Sequence, residues 1–336
     1  LYNAGTTMSG PAATCLMKRS PFTATEVQAL ADLCRTMGFT MLWPMVGDLT
    51  VHDPLDVKKT IDRDPAWMKQ TPFDLAPPTD ERPFFFNTRK TASSWASAFE
   101  HKDIGEVSHS SGLLTTLLVI LLVLGFRLLI WPLRETDKLS LRELASRYRA
   151  PVMYFGGIGM GFMLVELALI QRFMVFLGHP TYGLSVVLFS LLLFTAIGSS
   201  LSARLRDPAQ VRWPIAGVIV VSLASAFVVP SILRKVEGAD LAVRIVVVIV
   251  FVAPLGTCLG MVFPAGVRLL ERAGIARIIP WMWGVNGFAA VIASVIGMMI
   301  AMAWGYTAVL VAAMGCYALT LASSRSFDSM AGDSVA

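Results

Sequence analysis

The stretch PVMYFGGIGMGFMLVELALIQRFMVFLGHPTYGLSVVLFSLLLFTAIGSSLSARLR, residues 151–206, decides the fold. It holds two long apolar runs, 151–170 and 182–201. A short polar link, from Gln171-Arg172 through Gly178-His179-Pro180, separates them. Each run has the length an α-helix needs to cross the hydrocarbon core of a bilayer, about 20 residues. The first is laced with glycine (Gly156, Gly157, Gly159, Gly161) and carries one acid, Glu166. No other Asp or Glu stands in the middle of a long apolar run of this sequence. Lipid does not tolerate an unneeded carboxylate, so Glu166 calls for an explanation.

Working outward, five more runs qualify as spans: 112–131, 213–233, 241–263, 279–303 and 306–323. Trp304-Gly305 alone joins the last two, which demands a very tight turn. Trp131, Trp213, Trp281, Trp283 and Trp304 fall at predicted span ends, where amphipathic rings sit at the headgroups. Gly157-xxx-Gly161 and Gly256-xxx-Gly260 fit close helix packing, and Asn286, Ala290, Ala293 and Gly297 form one small face of the sixth span. Pro254 should kink the fifth span, which is expected to end at Phe263-Pro264.

The composition agrees. The 336 residues are 55% hydrophobic and only 15% charged, with a mean hydropathy of +0.64, which excludes an ordinary soluble protein. The net charge of +5 is not a nucleic-acid signal, because the basic residues sit in short loops between apolar runs. Loop 133–150 holds five Lys/Arg, 202–212 three, 264–278 three and the tail one; 171–181, 234–240 and 304–305 hold one, two and none. The first set is therefore expected in the cytoplasm. With seven spans the segment before them would lie outside, where a nucleotide-type domain lacks its usual cofactor supply. Either one run does not span, or that domain is not cytoplasmic. Cys15, Cys34, Cys258 and Cys316 are scattered without a CxxC, so neither a zinc site nor a disulfide framework is expected.

Residues 1–111 are polar and mixed. A strand is expected over 13–18. Thr23-Ala24-Thr25-Glu26 is a capping box, with Phe22 and Val27 placed as a hydrophobic staple. Val27, Leu30, Ala31 and Cys34 give one apolar helical face, Gly38 ends the helix, and a second strand is expected over 39–43. Strand–helix–strand is the closing unit of an α/β sheet and buries no core by itself. The chain opens on Leu1 with no signal-peptide pattern, and it reads as the C-terminal part of something longer. Residues 45–70 read as polar and turn-rich. Prolines fix an extended path over 72–83, and the Phe84-Phe85-Phe86 run calls for burial. Thr91–Ser111 reads as a small, polar linker.

Several residues are candidates for chemistry. Glu166 is either a cation or proton site in the bundle, or a structural anchor paired with Arg172, another basic residue or the Asn286 amide. Asn286 is either a ligand contact or an interhelical hydrogen bond. Asp80 and Glu81 could meet a cationic substrate, but an Asp in a Pro-rich turn usually bonds its own backbone, which favours turn caps and partners for Arg82. His179, between Gly178 and Pro180, reads as a loop residue at the interface, having no Cys/His cluster near it. Arg127 and Arg244 lie near span ends and are expected to snorkel. The glycines at 156–161 do not match G-x-G-x-x-G and lie inside an apolar span, so a dinucleotide loop is rejected. No P-loop, HExxH or GxSxG occurs, and no metal site or catalytic residue is assigned.

The motifs resemble those of bacterial membrane-bound spermidine-synthase-like proteins, in which an α/β domain is fused to transporter-like transmembrane helices. Arg19-Ser20-Pro21-Phe22-Thr23 and Pro77-Pro78-Thr79-Asp80-Glu81-Arg82-Pro83-Phe84-Phe85-Phe86 resemble the tail of the soluble domain. Gly161-Phe162-Met163-Leu164-Val165-Glu166, Gly178-His179-Pro180, Gly198-Ser199, Gly260-Met261-Val262-Phe263-Pro264 and Asn286-Gly287 with Gly297 are similar to the membrane region. The resemblance implies a bacterial inner-membrane protein. Its aminopropyltransferase-like domain would use S-adenosylmethionine or the decarboxylated form. The cofactor loop and catalytic acids would lie upstream of Leu1, so this sequence itself is expected to bind no cofactor.

The expected division is then an α/β remnant over 1–90, a linker over 91–111, a transmembrane helical bundle over 112–323 and a polar tail over 324–336. Three functions compete. The bundle anchors a transferase-type domain; it carries a polyamine or other small cation, with Glu166, Asn286 and Asp80 as contacts; or it is a catalytically degenerate scaffold. The bilayer is the expected partner in all three.

Overall fold

The computed structural model describes residues 16, 18–39, 41, 65–70, 78–84, 110–131, 148–205 and 207–333. They belong to two units, Leu1–Pro77 with Phe85–Gly112, and Pro78–Phe84 with Leu113–Ala336.

In the first unit, α1 spans Ala24–Met37 and α2 spans Pro65–Gln70. The capping box forms as the sequence dictates. The Glu26 amide donates to Thr23 Oγ1 at 3.3 Å, and the Thr23 amide donates back to Glu26 Oε2 at 2.9 Å. Gly38 closes α1 in the left-handed region at φ 71°. Ala31 and Cys34 are its buried residues. Phe22 is exposed, with the Lys18 ammonium 5.8 Å from its ring centre. The flanking strands are not seen. Leu16, Lys18, Phe39 and Met41 are not in strands, and the remaining residues of both expected strands lie outside the described residues, as does most of the 91–111 linker.

Among the described residues, the second unit is helical apart from the segment 78–84 and the short links between helices. Its helices are α3 (Ser110–Gly125, continued by a wide turn over Phe126–Ile130), α4 (Arg149–Leu177), α5 (Pro180–Ser202), α6 (Arg212–Phe227), α7 (Val229–Val236), α8 (Leu241–Arg272), α9 (Ile279–Trp304) and α10 (Tyr306–Asp333). Seven stretches are long and apolar enough to cross a membrane: Gly112–Leu129, Arg149–Leu177, Pro180–Ser202, Ala209–Phe227, Leu241–Arg272, Ala276–Trp304 and Tyr306–Ser326. Hydrocarbon offers no partner to a backbone amide, so an uninterrupted apolar run has to satisfy its own N–H and C=O groups as a helix. The protein is an integral membrane helix bundle.

Four boundaries differ from expectation. α4 does not stop at Ile170 but runs through Gln171-Arg172 to Leu177, because Arg172 is buried and paired instead of solvated. The 213–233 run breaks at Val228. Pro230, near the start of α7, has no N–H to continue α6. α8 passes through both Pro254 and Pro264 and ends only at Arg272. Membrane helices survive such missing bonds where neighbouring helices hold them. α10 continues through most of the expected polar tail to Asp333.

α4 is the axis of the bundle, burying Tyr154, Phe155, Leu164, Val165, Leu169 and Phe173. The small residues let its neighbours approach closely. A Cβ added at Gly157 would overlap the Thr320 hydroxyl of α10, and one at Gly161 would meet the Tyr317 ring at 2.6 Å. At Gly159 it would overlap the Asn286 carbonyl of α9. α5 and α8 interlock in the same way: a Cβ at Gly260 would overlap the Thr195 carbonyl, and one at Gly256 would lie 2.9 Å from Phe194 Cβ. In lipid, where apolar burial gives little drive between helices, such close backbone contact supplies the packing. α3 stands at the edge, meeting α9 where Gly125 faces Phe288 and Leu129 faces Gly284.

Candidate functional site

One interconnected charged cluster sits at the end of the bundle where α4 and α6 finish and α9 turns into α10, the end poorer in Lys and Arg. That turn is Gly305 alone, at φ 84°, a conformation that favours glycine. A Cβ there would also come within 2.9 Å of the Glu81 carbonyl oxygen. The reason is that residues 78–84 lie across this end.

The segment turns at Thr79–Arg82, where the Arg82 amide donates to the Thr79 carbonyl at 2.8 Å. Glu81 is thereby aimed at the helix ends. Its Oε1 accepts from Arg172 Nη2 at 2.6 Å. Its Oε2 accepts from the Thr307 amide at 3.1 Å and from Thr307 Oγ1 at 2.8 Å. Thr307 Oγ1 in turn accepts from Arg172 Nη2 at 2.9 Å, which closes a ring of three groups. The Tyr306 amide donates to the Glu81 carbonyl at 3.0 Å. Arg172 Nη1 donates to the Ser225 carbonyl at the end of α6. Arg82 Nε donates to the Met302 carbonyl of α9 at 2.8 Å, and the Phe84 ring packs 5.8 Å from that of Tyr306.

The charge logic follows from burial. The Arg172 side chain is 7% exposed and the Glu81 side chain 46%. A guanidinium in that position needs a counter-charge, and Glu81 supplies it. The amides of Tyr306 and Thr307 belong to the first turn of α10, whose N–H groups have no partner within the helix. One carboxylate and one carbonyl of the same residue satisfy both.

The residues singled out in the sequence fall in different places. Asp80 sits at the exposed tip of the turn, with no hydrogen-bond or ion-pair partner among the described residues. Its neighbour Glu81 does not pair with Arg82, as the turn reading expects, but with Arg172, 91 residues away. Phe85 and Phe86 lie outside the described residues. His179 caps α5, its Nδ1 accepting from the Thr181 amide at 3.2 Å, with its ring 5.6 Å from Tyr182. Gly178 ends α4 in the left-handed region and Pro180 opens α5, so these three residues form a helix–helix corner. Pro264 is inside α8, and Gly157 and Gly161 carry the contact with α10.

Asn286 Nδ2 donates to the Phe155 carbonyl at 3.0 Å, an interhelical bond between α9 and α4. Arg244 Nη1 donates to the Phe176 carbonyl at 3.0 Å, and the Arg127 guanidinium stacks 5.6 Å from the Trp131 ring. Glu166 is half-buried on α4. The two partners named for it are engaged elsewhere, Arg172 by Glu81 and Asn286 by Phe155, and no other basic residue among the described ones pairs with it. Glu166 has no hydrogen-bond or ion-pair partner among the described residues. The structure thus does not bring Asp80, Glu166 and Asn286 into one site.

Sequence reading passed over the Glu81–Arg172–Thr307 cluster. One signal for it was present: Gln171-Arg172 interrupts the apolar run for only two residues and precedes five more apolar or aromatic residues, Phe173 through Leu177. Comparison of the chain with protein-family models, with curated proteins and with solved structures gives no match.

Proposed function

We propose that this bundle is the membrane-embedded part of a spermidine-synthase-like protein. Its helices hold a transferase-type domain at one face of a bacterial inner membrane. The observation that supports the reading best is the seating of residues 78–84, whose Glu81 is held by a buried arginine and the first turn of α10. A free linker has no need of a buried counter-charge. A segment anchored on the end of the bundle does.

The same geometry bears on orientation. Residues 78–84 share an end of the bundle with the 304–305 turn and with the C-terminal end of α4, both in the set poor in Lys/Arg. With seven spans, the positive-inside rule puts that end away from the cytoplasm. We infer that the preceding domain works on that side, on an amine acceptor and with S-adenosylmethionine or its decarboxylated form as donor. The test is aminopropyl transfer from decarboxylated S-adenosylmethionine to putrescine, with methylthioadenosine as the leaving group, by the full-length protein in sealed vesicles of each orientation. Product is expected when donor and acceptor are supplied on the face bearing residues 78–84. Absence of product and of donor binding on both faces leaves a scaffold and defeats the transferase reading.

One observation favours a second reading, a carrier of a polyamine or other small cation. Glu166 is a mid-span carboxylate without a protein partner among the described residues, and such groups mark ion or substrate paths. Uptake of labelled spermidine into proteoliposomes, abolished by Glu166→Gln, is the expected result. Uptake unchanged by that substitution removes Glu166 from the path.

A further inference from the structure

We propose that the end of the bundle formed by Arg172 and the first turn of α10 is a receptor for a single carboxylate, and that residues 78–84 are a removable strap bearing Glu81 as its tethered ligand. This does not depend on what domain precedes the strap.

The two sides of the contact are unequal. The receptor is fixed by packing: the Arg172 side chain is 7% exposed, and its second nitrogen is held by the Ser225 carbonyl. The Thr307 amide is part of a helix turn and cannot swing away. The ligand side is wet. Glu81 is 46% exposed, and Pro78, Thr79 and Asp80 are all exposed. Water and solutes therefore reach Glu81 while the donors stay in place, and lifting the strap also opens its other ties, the Tyr306 amide on the Glu81 carbonyl and Arg82 on the Met302 carbonyl.

The donors also select the ligand. They are split between two oxygens, Arg172 on Oε1 and the two Thr307 donors on Oε2. A planar two-oxygen anion takes both positions at once, whereas a spherical halide takes one. When the strap lifts, the site left behind suits a small free carboxylate or the carboxylate of an acidic side chain or chain terminus. Tethering gives Glu81 a high effective concentration, so it occupies the receptor by default.

Chemical rescue tests this on the full chain in detergent or nanodiscs. Glu81→Ala is expected to lower the unfolding midpoint by several degrees. Sodium formate is expected to restore it saturably, where sodium chloride of equal ionic strength does not. In the Glu81→Ala/Arg172→Gln double variant formate is expected to have no effect. Formate acting no better than chloride, or acting equally in the double variant, overturns the proposal. If Glu81→Ala fails to fold, Glu81→Gln keeps the test open, since the amide keeps the shape of the side chain and removes only its charge. Faster amide exchange over residues 78–84, increased further by formate and not by chloride, is then expected. Exchange that matches the parent protein with and without formate overturns the proposal.

Discussion

Arg172 and Glu166 stand six positions apart on one helix, and the bundle treats them in opposite ways. Arg172 is buried, and the main chain or side chains of Glu81, Ser225 and Thr307 surround it. Glu166 is half-buried and met by no partner among the described residues. A buried charge with a full set of partners is a structural commitment, because removing any one partner exposes the rest to an uncompensated environment. A charge left without partners adds nothing to packing and is free to take a ligand or proton. The contrast separates a charge whose ligand is already supplied by the chain from one whose ligand is not.

The largest expected effect comes from breaking the satisfied pair. Glu81→Ala leaves the Arg172 cation without a counter-charge and should destabilise the folded bundle by about 3 kcal/mol, the low end for a buried pair because water already reaches Glu81. Arg172→Met combined with Glu81→Gln should lose less than the two single changes added together, since neither charge is then stranded. Unfolding midpoints of the four proteins in one detergent check this. Additive losses would mean that the pair is not coupled, and the contrast with Glu166 would collapse.

A neutral polar group that is satisfied provides the next step down. Asn286→Leu removes the bond to the Phe155 carbonyl, and interhelical bonds of this kind contribute about 0.6 kcal/mol. A loss of that order, measured by the same unfolding assay, is expected. A loss as large as that of Glu81→Ala would show that Asn286 does more than join α9 to α4.

Much of this architecture is legible in the sequence, and the reasons for the rest are physical. Seven apolar runs become seven membrane-length helices because hydrocarbon leaves the backbone no alternative. The glycine pairs at 157/161 and 256/260 become close contacts for the same reason that small residues allow backbones to meet. What escapes is anything set by a distant partner. Arg172 looks like the start of a polar link until Glu81, far away in the chain, is placed against it. Pro264 looks like a helix end until its neighbours hold α8 through it. Of two adjacent acids, Asp80 has the familiar turn context, yet it is Glu81 that the turn aims at the bundle.

The unpartnered charge should respond in the reverse direction. Glu166→Leu removes a carboxylate that no protein group compensates and should leave stability unchanged or raise it, by less than about 1 kcal/mol. The same substitution should abolish cation movement if the carrier reading holds. A clear drop in the unfolding midpoint would instead assign Glu166 a structural role and remove the difference from Arg172.

The smallest effect is expected at Glu26, a carboxylate outside the membrane spans whose partners are all local. Its hydrogen bond from Lys18 at 2.7 Å, then those from the Thr23 amide and hydroxyl, lower its pKa from 4.5 to about 2. A folded-state pKa below the unfolded one contributes stability that is present above pH 4.5 and is lost as pH falls through about 2. The α1 N-terminus should therefore stay capped in mild acid and fray only near the lower value, as followed by the Glu26 carboxyl shift in NMR. Lys18→Ala should return the midpoint part of the way towards 4.5, the Thr23 bonds remaining, and added salt should move it in the same direction because the pair is exposed. A titration already at 4.5 in the parent protein would show that the Lys18 contact does not persist in solution. Set beside Glu81 and Glu166, Glu26 completes the argument: one residue type is a lock where its partner is buried, a candidate ligand where it has none, and a helix cap where water surrounds it.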